Sequence, residues 1–211
     1  ALINEEEIQK VILKARINHG GFNCVIDLTH PFATNITGAI SKVCKELGQP
    51  FIRYERAIDN VSNAILIEKF SDLENYDLNN KSILLAVGVR HLQEAYIFAR
   101  NSGASVYARV LANPESIRKT LSSSIPKKNF AVLNPLVSSN GIIEKALVRK
   151  WNIDGVICRQ SGGRNEILWH RICLSMNINL WLLKRPYELK DINSIDSYEK
   201  LIKRLQSINM K

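Results

Sequence analysis

From Ser82 to Leu183 short apolar runs alternate with stretches of helical periodicity. Few folds accommodate that pattern. Ser82-Ile-Leu-Leu-Ala-Val87 is apolar almost throughout, as a strand covered on both faces requires. Ser105–Val110, Phe130–Leu133, Gly155–Cys158 and Ile178–Leu183 repeat the theme. Helical segments lie between them: one ends near Ser102, one starts at Asn113-Pro114-Glu115, one spans Ile142–Trp151, and one ends near Met176. Asn113 reads as a cap, with Pro114 at the first helical position, where a missing N–H costs nothing. The alternation predicts an α/β fold with a parallel sheet and right-handed crossovers, closed by Ile178–Leu183.

The same grammar runs upstream. Cys24-Val-Ile reads as a short buried strand, and Asp27, Thr29 and His30 arrive at its carboxyl end. Pro31 suits a first helical turn. The helix runs from about Ala33 to Leu47 and Gly48 stops it. Pro50–Arg56 and Asn63–Glu68 read as further strands, and Ser71–Lys81, rich in Asn and Asp, as a linker. The division expected is 1–79, a partial N-terminal domain, and 80–211, a C-terminal domain ending in a helix over Ser197–Gln206. Ile8, Val11, Ile12 and Ala15 share a face of an opening helix behind the acidic stretch Asn4-Glu5-Glu6-Glu7. A doubly wound domain opens with a strand before such a helix, so the first domain reads as incomplete, a fragment or an ortholog that has lost its beginning.

Composition narrows the classes. Hydrophobic residues make up 45% of the 211 residues, enough for a sizeable core. No apolar run is long enough to cross a bilayer and no leader pattern opens the chain, so a soluble, cytoplasmic protein without membrane contact is expected. Cys24, Cys44, Cys158 and Cys173 are scattered without a CxxC pair, which predicts reduced core thiols and no metal. The formal charge of +9 suggests an anionic partner, either nucleic acid or a phosphorylated or polycarboxylate ligand. No nucleic-acid motif accompanies it, and a solvated lysine-rich surface is the default.

Polar residues gather where strands end: Asp27-Thr29-His30, Arg53-Arg56, Gly88-Arg90-His91, Arg109, and Arg159-Ser161-Gly162-Gly163. Strand-then-helix order brings the ends of one sheet to one edge, so that edge is predicted to be cationic. Each feature has a plainer reading. Thr29 or His30 could cap the following helix, Gly162-Gly163 could be a tight βα turn, and Gly88 could merely end a strand. His19, His91 and His170 default to structural or surface roles.

Taken together these residues resemble the precorrin-6A reductase (cobalt-precorrin-6A reductase) family of cobalamin biosynthesis. Asp27-Leu-Thr-His-Pro-Phe-Ala33 is similar to that family's Asp-Ala-Thr-His-Pro-Phe/Tyr-Ala signature. Ile52-Arg-Tyr-Glu-Arg56 is similar to its Leu/Ile-Arg-x-x-Arg segment, and Tyr107-Ala-Arg-Val-Leu111 to a strand containing Arg-Val/Leu-Leu/Pro. Gly88–Arg90 falls on a Gly-Ser/Thr-Arg/Lys strand end, Arg159-Gln-Ser-Gly162 on a Lys-Asp/Glu-Ser-Gly turn, and Lys184-Arg185-Pro186 on a closing Arg-Pro. A family Gly-Pro-Phe-Ser turn stands here as Asn134-Pro-Leu-Val137, and the family's opening Gly-Gly-Thr/Ser-x-Glu turn has no counterpart.

The resemblance implies two Rossmann-like parallel-sheet domains with a cleft between them. It implies an oxidoreductase acting on a CH–CH group, with NADPH or NADH reducing precorrin-6A or its cobalt form, a tetrapyrrole, to the dihydro product. Thr29, His30, Pro31, Phe32, Gly88, Arg90, Ser161, Gly162 and Gly163 would face the cofactor. Arg53, Arg56 and Arg109 would take substrate carboxylates, which guanidinium forks bind in bidentate fashion, or cofactor phosphates. His30 is the candidate catalytic residue, with solvent as the other source of the proton. Neighbouring pathway enzymes are possible partners. A nucleotide-binding or scaffold protein of the same fold, without turnover, is the alternative.

Overall fold

The computed structural model describes residues 4–58, 63–134, 140–186, 192 and 194–209. In chain order its elements are α1 (Glu5–His19), β1 (Val25–Asp27), α2 (Thr34–Glu46), β2 (Phe51–Tyr54), β3 (Ile65–Ile67), β4 (Ser82–Leu85), α3 (Leu92–Asn101), β5 (Ser105–Val110), α4 (Pro114–Leu121), β6 (Phe130–Val132), α5 (Ile142–Lys150), β7 (Gly155–Arg159), α6 (Arg164–Met176), β8 (Asn179–Leu183), β9 (Ser194–Ile195) and α7 (Tyr198–Asn209). They form two compact units, 1–58 with 185–211, and 59–184.

This division differs from a boundary at 79/80, for two reasons. Ser71–Lys81 is polar in sequence, yet Phe70, Leu73 and Leu78 are buried in the second unit. A 3-10 helix, Phe70–Asn75, carries the first two, and the Asp72 carboxylate caps it by accepting from the Glu68 and Lys69 N–H groups at 2.8 and 3.2 Å. Three apolar side chains at the right spacing thus turn an apparent linker into part of a core. The chain beyond Lys184, for its part, returns to the first unit, where β9 pairs in parallel with β2. So short a strand has no periodicity to announce it.

In the first unit the sheet order is β1-β2-β9, all parallel. Ile8 and Ile12 of α1 pack with Val43 and Cys44 of α2 over Val25 and Phe51. α1 is well framed: Asn4 Oδ1 accepts from the Glu7 N–H at 2.8 Å, the first-turn glutamates oppose the dipole, and Gly20, at φ 75, makes the left-handed cap. Val11, expected on the buried face, lies at its margin and is 58% exposed.

The second unit holds a six-stranded parallel sheet in the order β3-β8-β7-β4-β5-β6. Ile178–Leu183 was expected to close this sheet. Instead β8 is internal and β3 lies outside it, Ile65 opposite Trp181. Leu84, Val156, Leu180 and Leu182 pack against Trp169, Ile172 and Cys173 of α6, and each such fully buried aliphatic side chain contributes about 1.5–3 kcal/mol. Asn113 caps α4 as the sequence predicts, accepting from the Ser116 N–H at 2.8 Å.

Cys44, Cys158 and Cys173 are buried free thiols; burial pushes Cys44 up to about 11 and Cys173 up to about 12, so they act as small apolar residues. Among the described residues no helix is long and apolar enough to cross a membrane, and no His/Cys/Asp/Glu group could hold a metal ion. What this sheet order positions is a switch point. From β4 the chain moves outward to β5 and β6, then back to the other side of β4 for β7 and β8. Crevices outside the carboxyl ends of such strand pairs are where open α/β sheets take ligands.

Candidate functional sites

In the first unit the site begins with a strand register. β1 pairs with β2 so that Asp27 faces Arg53 as its neighbour. Both are buried, and Arg53 Nη1 lies 2.8 Å from Asp27 Oδ2. The Thr37 hydroxyl donates to the same oxygen at 2.7 Å, while Asp27 Oδ1 accepts from the Thr29 N–H at 2.9 Å. Burial would raise the Asp27 carboxyl, but the bonds from Thr37 and Thr29 and the Arg53 charge outweigh it and hold the group below its ordinary value. Arg53 Nη1 also donates to Thr29 Oγ1 at 2.9 Å, and its Nε and Nη2 donate to Glu55 Oε1 at 3.1 and 2.8 Å. Glu55 Oε2 in turn accepts from Arg185 Nη1 at 3.1 Å.

Arg53 therefore presents no fork to a substrate. Its three nitrogens are engaged and it is 3% exposed. Its place is as the cation that ties the Thr29 loop to the sheet. Strand register decided this, and residues 26 positions apart reveal nothing of it in sequence. Arg56 is exposed, with its carbonyl accepting from Arg185 Nη1 at 2.8 Å.

The loop continues into a turn. The Ala33 N–H donates to the His30 carbonyl at 2.7 Å, placing Pro31 at the second turn position, where its fixed φ fits. α2 starts at Thr34, so Pro31 belongs to the turn that precedes the helix and not to its first turn. The Phe32 N–H donates to His30 Nδ1 at 3.2 Å. Both N–H groups after Pro31 thus serve the turn, and a nucleotide has neither to itself. Ala33, the N-cap of α2, makes no side-chain cap bond, so neither Thr29 nor His30 caps that helix. Thr29 Oγ1 is occupied by Arg53 and lies 3.2 Å from Thr37 Oγ1. The half-buried rings of His30 and Phe32 remain as the loop's chemistry, 5.7 Å apart and inclined at 51°.

In the second unit the switch point lies between β4 and β7. Gly88 follows β4 at φ 80, and a Cβ there would stand 3.3 Å from Arg159 Nη2. Glycine is required by both the left-handed backbone and that approach. Arg90 and His91 follow in the same turn. Burial lowers the Arg159 guanidinium and the Arg90 charge lowers it further; burial, Arg159 and Arg90 likewise hold His91 below the usual histidine range, against the pull of Glu94. Three cationic or potentially cationic groups crowd one glycine, as complements an anion. Gly88 and Arg90 are ligand candidates from the sequence; Arg159 and His91 stand there among the polar strand-end residues, with no ligand role for Arg159 and a structural or surface role for His91. Only the pairing of β4 with β7 brings them together.

The Ser161-Gly162-Gly163 turn corrects another expectation. The Ser161 and Gly162 N–H groups both donate to Glu166 Oε2, the latter at 2.7 Å. Glu166 is buried, and His170 Nε2 stands 3.7 Å from its other oxygen while His170 Nδ1 meets Asn63 Oδ1 at 3.0 Å. Gly163 is the N-cap of α6. The helix start therefore holds its own carboxylate, in the manner of a capping box, at the turn that the resemblance sets against the cofactor. Arg109 also turns inward. Its side chain, 9% exposed, lies 3.7 Å from Glu144, and partial burial lowers its guanidinium. It stands on β5, which pairs with β4 on the side opposite β7. Of the Asn134–Val137 turn, residues 135–137 lie outside the described residues.

The family model described as "Precorrin-6x reductase CbiJ/CobK" matches residues 3–206. A cobalt-precorrin-6A reductase of Synechocystis sp. is 29% identical over 168 residues, 77% of this chain and 63% of that protein. One from Methanococcus maripaludis is 29% identical over 159 residues, 74% of this chain and 59% of the relative. The precorrin-6A reductase of Mycobacterium tuberculosis is 26% identical over 187 residues, 88% of this chain and 72% of that protein. The chain thus spans about three fifths of the first two relatives. A solved structure titled "CobK precorrin-6A reductase" superposes with a TM-score of 0.74 at 17% identity, covering 99% of this chain and 78% of the other, which establishes the shared fold.

Proposed function

We propose, because the chain belongs to the precorrin-6x reductase CbiJ/CobK family, that it reduces precorrin-6A or its cobalt form with a nicotinamide cofactor. The match over residues 3–206 carries this reading. The reduction adds a hydride from the reduced nicotinamide, which leaves oxidised, to one carbon of the conjugated macrocycle, and a proton to complete the saturated bond.

The residues fit such a ligand pair. Gly88 lets backbone approach a ligand closely, and Arg159 and Arg90 supply positive charge for cofactor phosphates or substrate carboxylates, with His91 held neutral beside them. Arg56 is a further exposed cation for the carboxylates. His30 and Phe32 offer a polar and an apolar ring to the reacting region. Thr29, Asp27, Arg53 and Glu55 position that loop, and Glu166 and Glu144 hold Ser161-Gly162 and Arg109 in the scaffold.

Stopped-flow oxidation of NADPH and of NADH, each with precorrin-6A and with its cobalt form, tests the proposal and identifies the preferred pair. The prediction is oxidation that depends on both substrate and protein. Glu166, filling the start of α6, favours a second reading, a nucleotide-binding or scaffold protein without turnover. Binding of substrate and cofactor with no oxidation would support it.

A further inference from the structure

We infer that the cavity at the amino-terminal edge of the six-stranded sheet is a second small-molecule site, taking an uncharged, flat nitrogen heterocycle that carries an amino group, of the aminopurine kind. This goes beyond the reductase reading and does not rest on it. The cavity, about 340 Å3, lies wholly within the unit 59–184. Its walls stand where strands begin: Ile65 on β3, Ile83 on β4, Asp154 just before β7, and Asn179 and Trp181 on β8. Gly88 and Arg159 stand where β4 and β7 finish, so the two sites occupy opposite edges of one sheet.

The starting observation is an orphan donor. Trp181 lines the cavity and is 3% exposed, and its indole N–H finds no acceptor among the described residues. An indole N–H can only donate, and a buried donor left unpaired is rare because it loses its bond to water without a replacement. The ring is nonetheless held in place. Gly155, on the neighbouring strand β7, makes room for it, since a Cβ there would collide with Cζ3 of the indole. Tyr76 meets the indole edge to face, with centroids 5.9 Å apart.

The walls are fixed by backbone bonds. The Lys81 N–H donates to the Leu78 carbonyl at 3.0 Å, the Ser105 N–H to the Lys81 carbonyl at 2.8 Å, and the Asn179 N–H to the Asp154 carbonyl at 3.1 Å. Asp154 Oδ2 accepts from the Ser82 N–H at 2.7 Å, while Oδ1 meets the Lys81 ammonium at 4.0 Å and has capacity for a ligand donor. Asp77 adds a second carboxylate, and Asn177, the C-cap of α6, brings the negative end of a helix dipole to the same wall. Two carboxylates and a helix C-terminus against one ammonium disfavour anions, so the phosphates and carboxylates suited to Arg90 and Arg159 do not suit this edge. What fits is a flat body against Trp181 and the apolar Ile65 and Ile83, an acceptor for the indole N–H, and a donor for Asp154. A ring nitrogen beside an amino group supplies both.

The test titrates adenine, an uncharged aminopurine, into the full chain labelled with 15N-tryptophan. The chain has three tryptophans, and the Trp181 indole N–H signal is assigned by its absence from Trp181→Phe. That signal is expected to move while those of Trp151 and Trp169 stay, and to saturate with a dissociation constant below about 1 mM. The same shift is expected in Arg159→Ala, which alters only the opposite edge. By calorimetry Trp181→Phe, which keeps an aromatic ring but no donor, is expected to bind adenine about tenfold more weakly than wild type. Asp154→Asn, which keeps a carbonyl for the Ser82 N–H and serves should Trp181→Phe fold poorly, is expected to weaken adenine about fivefold. A Trp181 signal unmoved at about 5 mM adenine would mean a cavity that holds water only, and overturns the inference. Adenine affinity equal to wild type in a folded Trp181→Phe or Asp154→Asn overturns it as well.

Discussion

Arg53 Nη1 meets Asp27 Oδ2 at 2.8 Å between two neighbouring parallel strands, with both side chains withdrawn from water. The same guanidinium holds Thr29 and Glu55. Removing one partner leaves a buried charge uncompensated, which costs about 3–5 kcal/mol. Arg53→Ala is therefore expected to lower stability by roughly that amount in urea unfolding followed by circular dichroism. An unchanged midpoint, with a raised substrate KM instead, would return Arg53 to the role of a substrate ligand.

Asp27 also makes a pH prediction. Its folded-state carboxyl lies below the ordinary value of about 3.9, so its contribution is complete above that pH and is lost as pH falls through the folded value. Acid unfolding of the wild type is expected to steepen below about pH 4, and Asp27→Asn, weaker throughout, to lose that part of the acid dependence. Parallel acid titrations of wild type and variant check this; coincident slopes would contradict it.

Glu166 is expected to be a structural residue. Two backbone N–H groups depend on its carboxylate, so Glu166→Ala leaves both without an acceptor and is predicted to cost about 1–3 kcal/mol. Thermal melts measure the loss. A variant as stable as wild type but weaker in NADPH binding would make Glu166 part of the ligand site.

Gly88→Ala combines a positive φ with a Cβ 3.3 Å from Arg159 Nη2. A stability loss of about 1 kcal/mol or more is expected, together with weaker NADPH binding as the Arg159 guanidinium gives way. Fluorescence titration of NADPH beside a thermal melt separates the two effects; affinity equal to wild type would remove Gly88 from the cofactor site.

These predictions divide along the line between what the sequence carries and what it does not. Alternating apolar runs and helical stretches are visible because a buried parallel strand must be apolar on both faces, and nearly every major element follows from them. Asn113-Pro114 and Gly48 announce helix ends through local chemistry alone. The two-residue β9 and the outer position of β3 are not visible, because strand order is a long-range property. The same limit applies to the sites. Thr29, His30, Gly88 and Arg90 stand out by their positions at strand ends. Whether an arginine at such an end faces ligand or protein depends on what lies opposite: Asp27 claims Arg53, Glu144 claims Arg109, and Glu166 claims the turn before α6. Arg159 and His91 also stand at strand ends in the sequence, but that they meet beside Gly88 follows only from the pairing of β7 with β4.

The cationic crevice at that switch point is what the proposed chemistry depends on most, and Arg159→Ala addresses it through the NADPH dissociation constant. With folding checked by circular dichroism, the expected result is affinity about tenfold weaker than wild type or more, with a shallower dependence on salt. An intact variant that binds NADPH as tightly as wild type, with the same salt dependence, would contradict it.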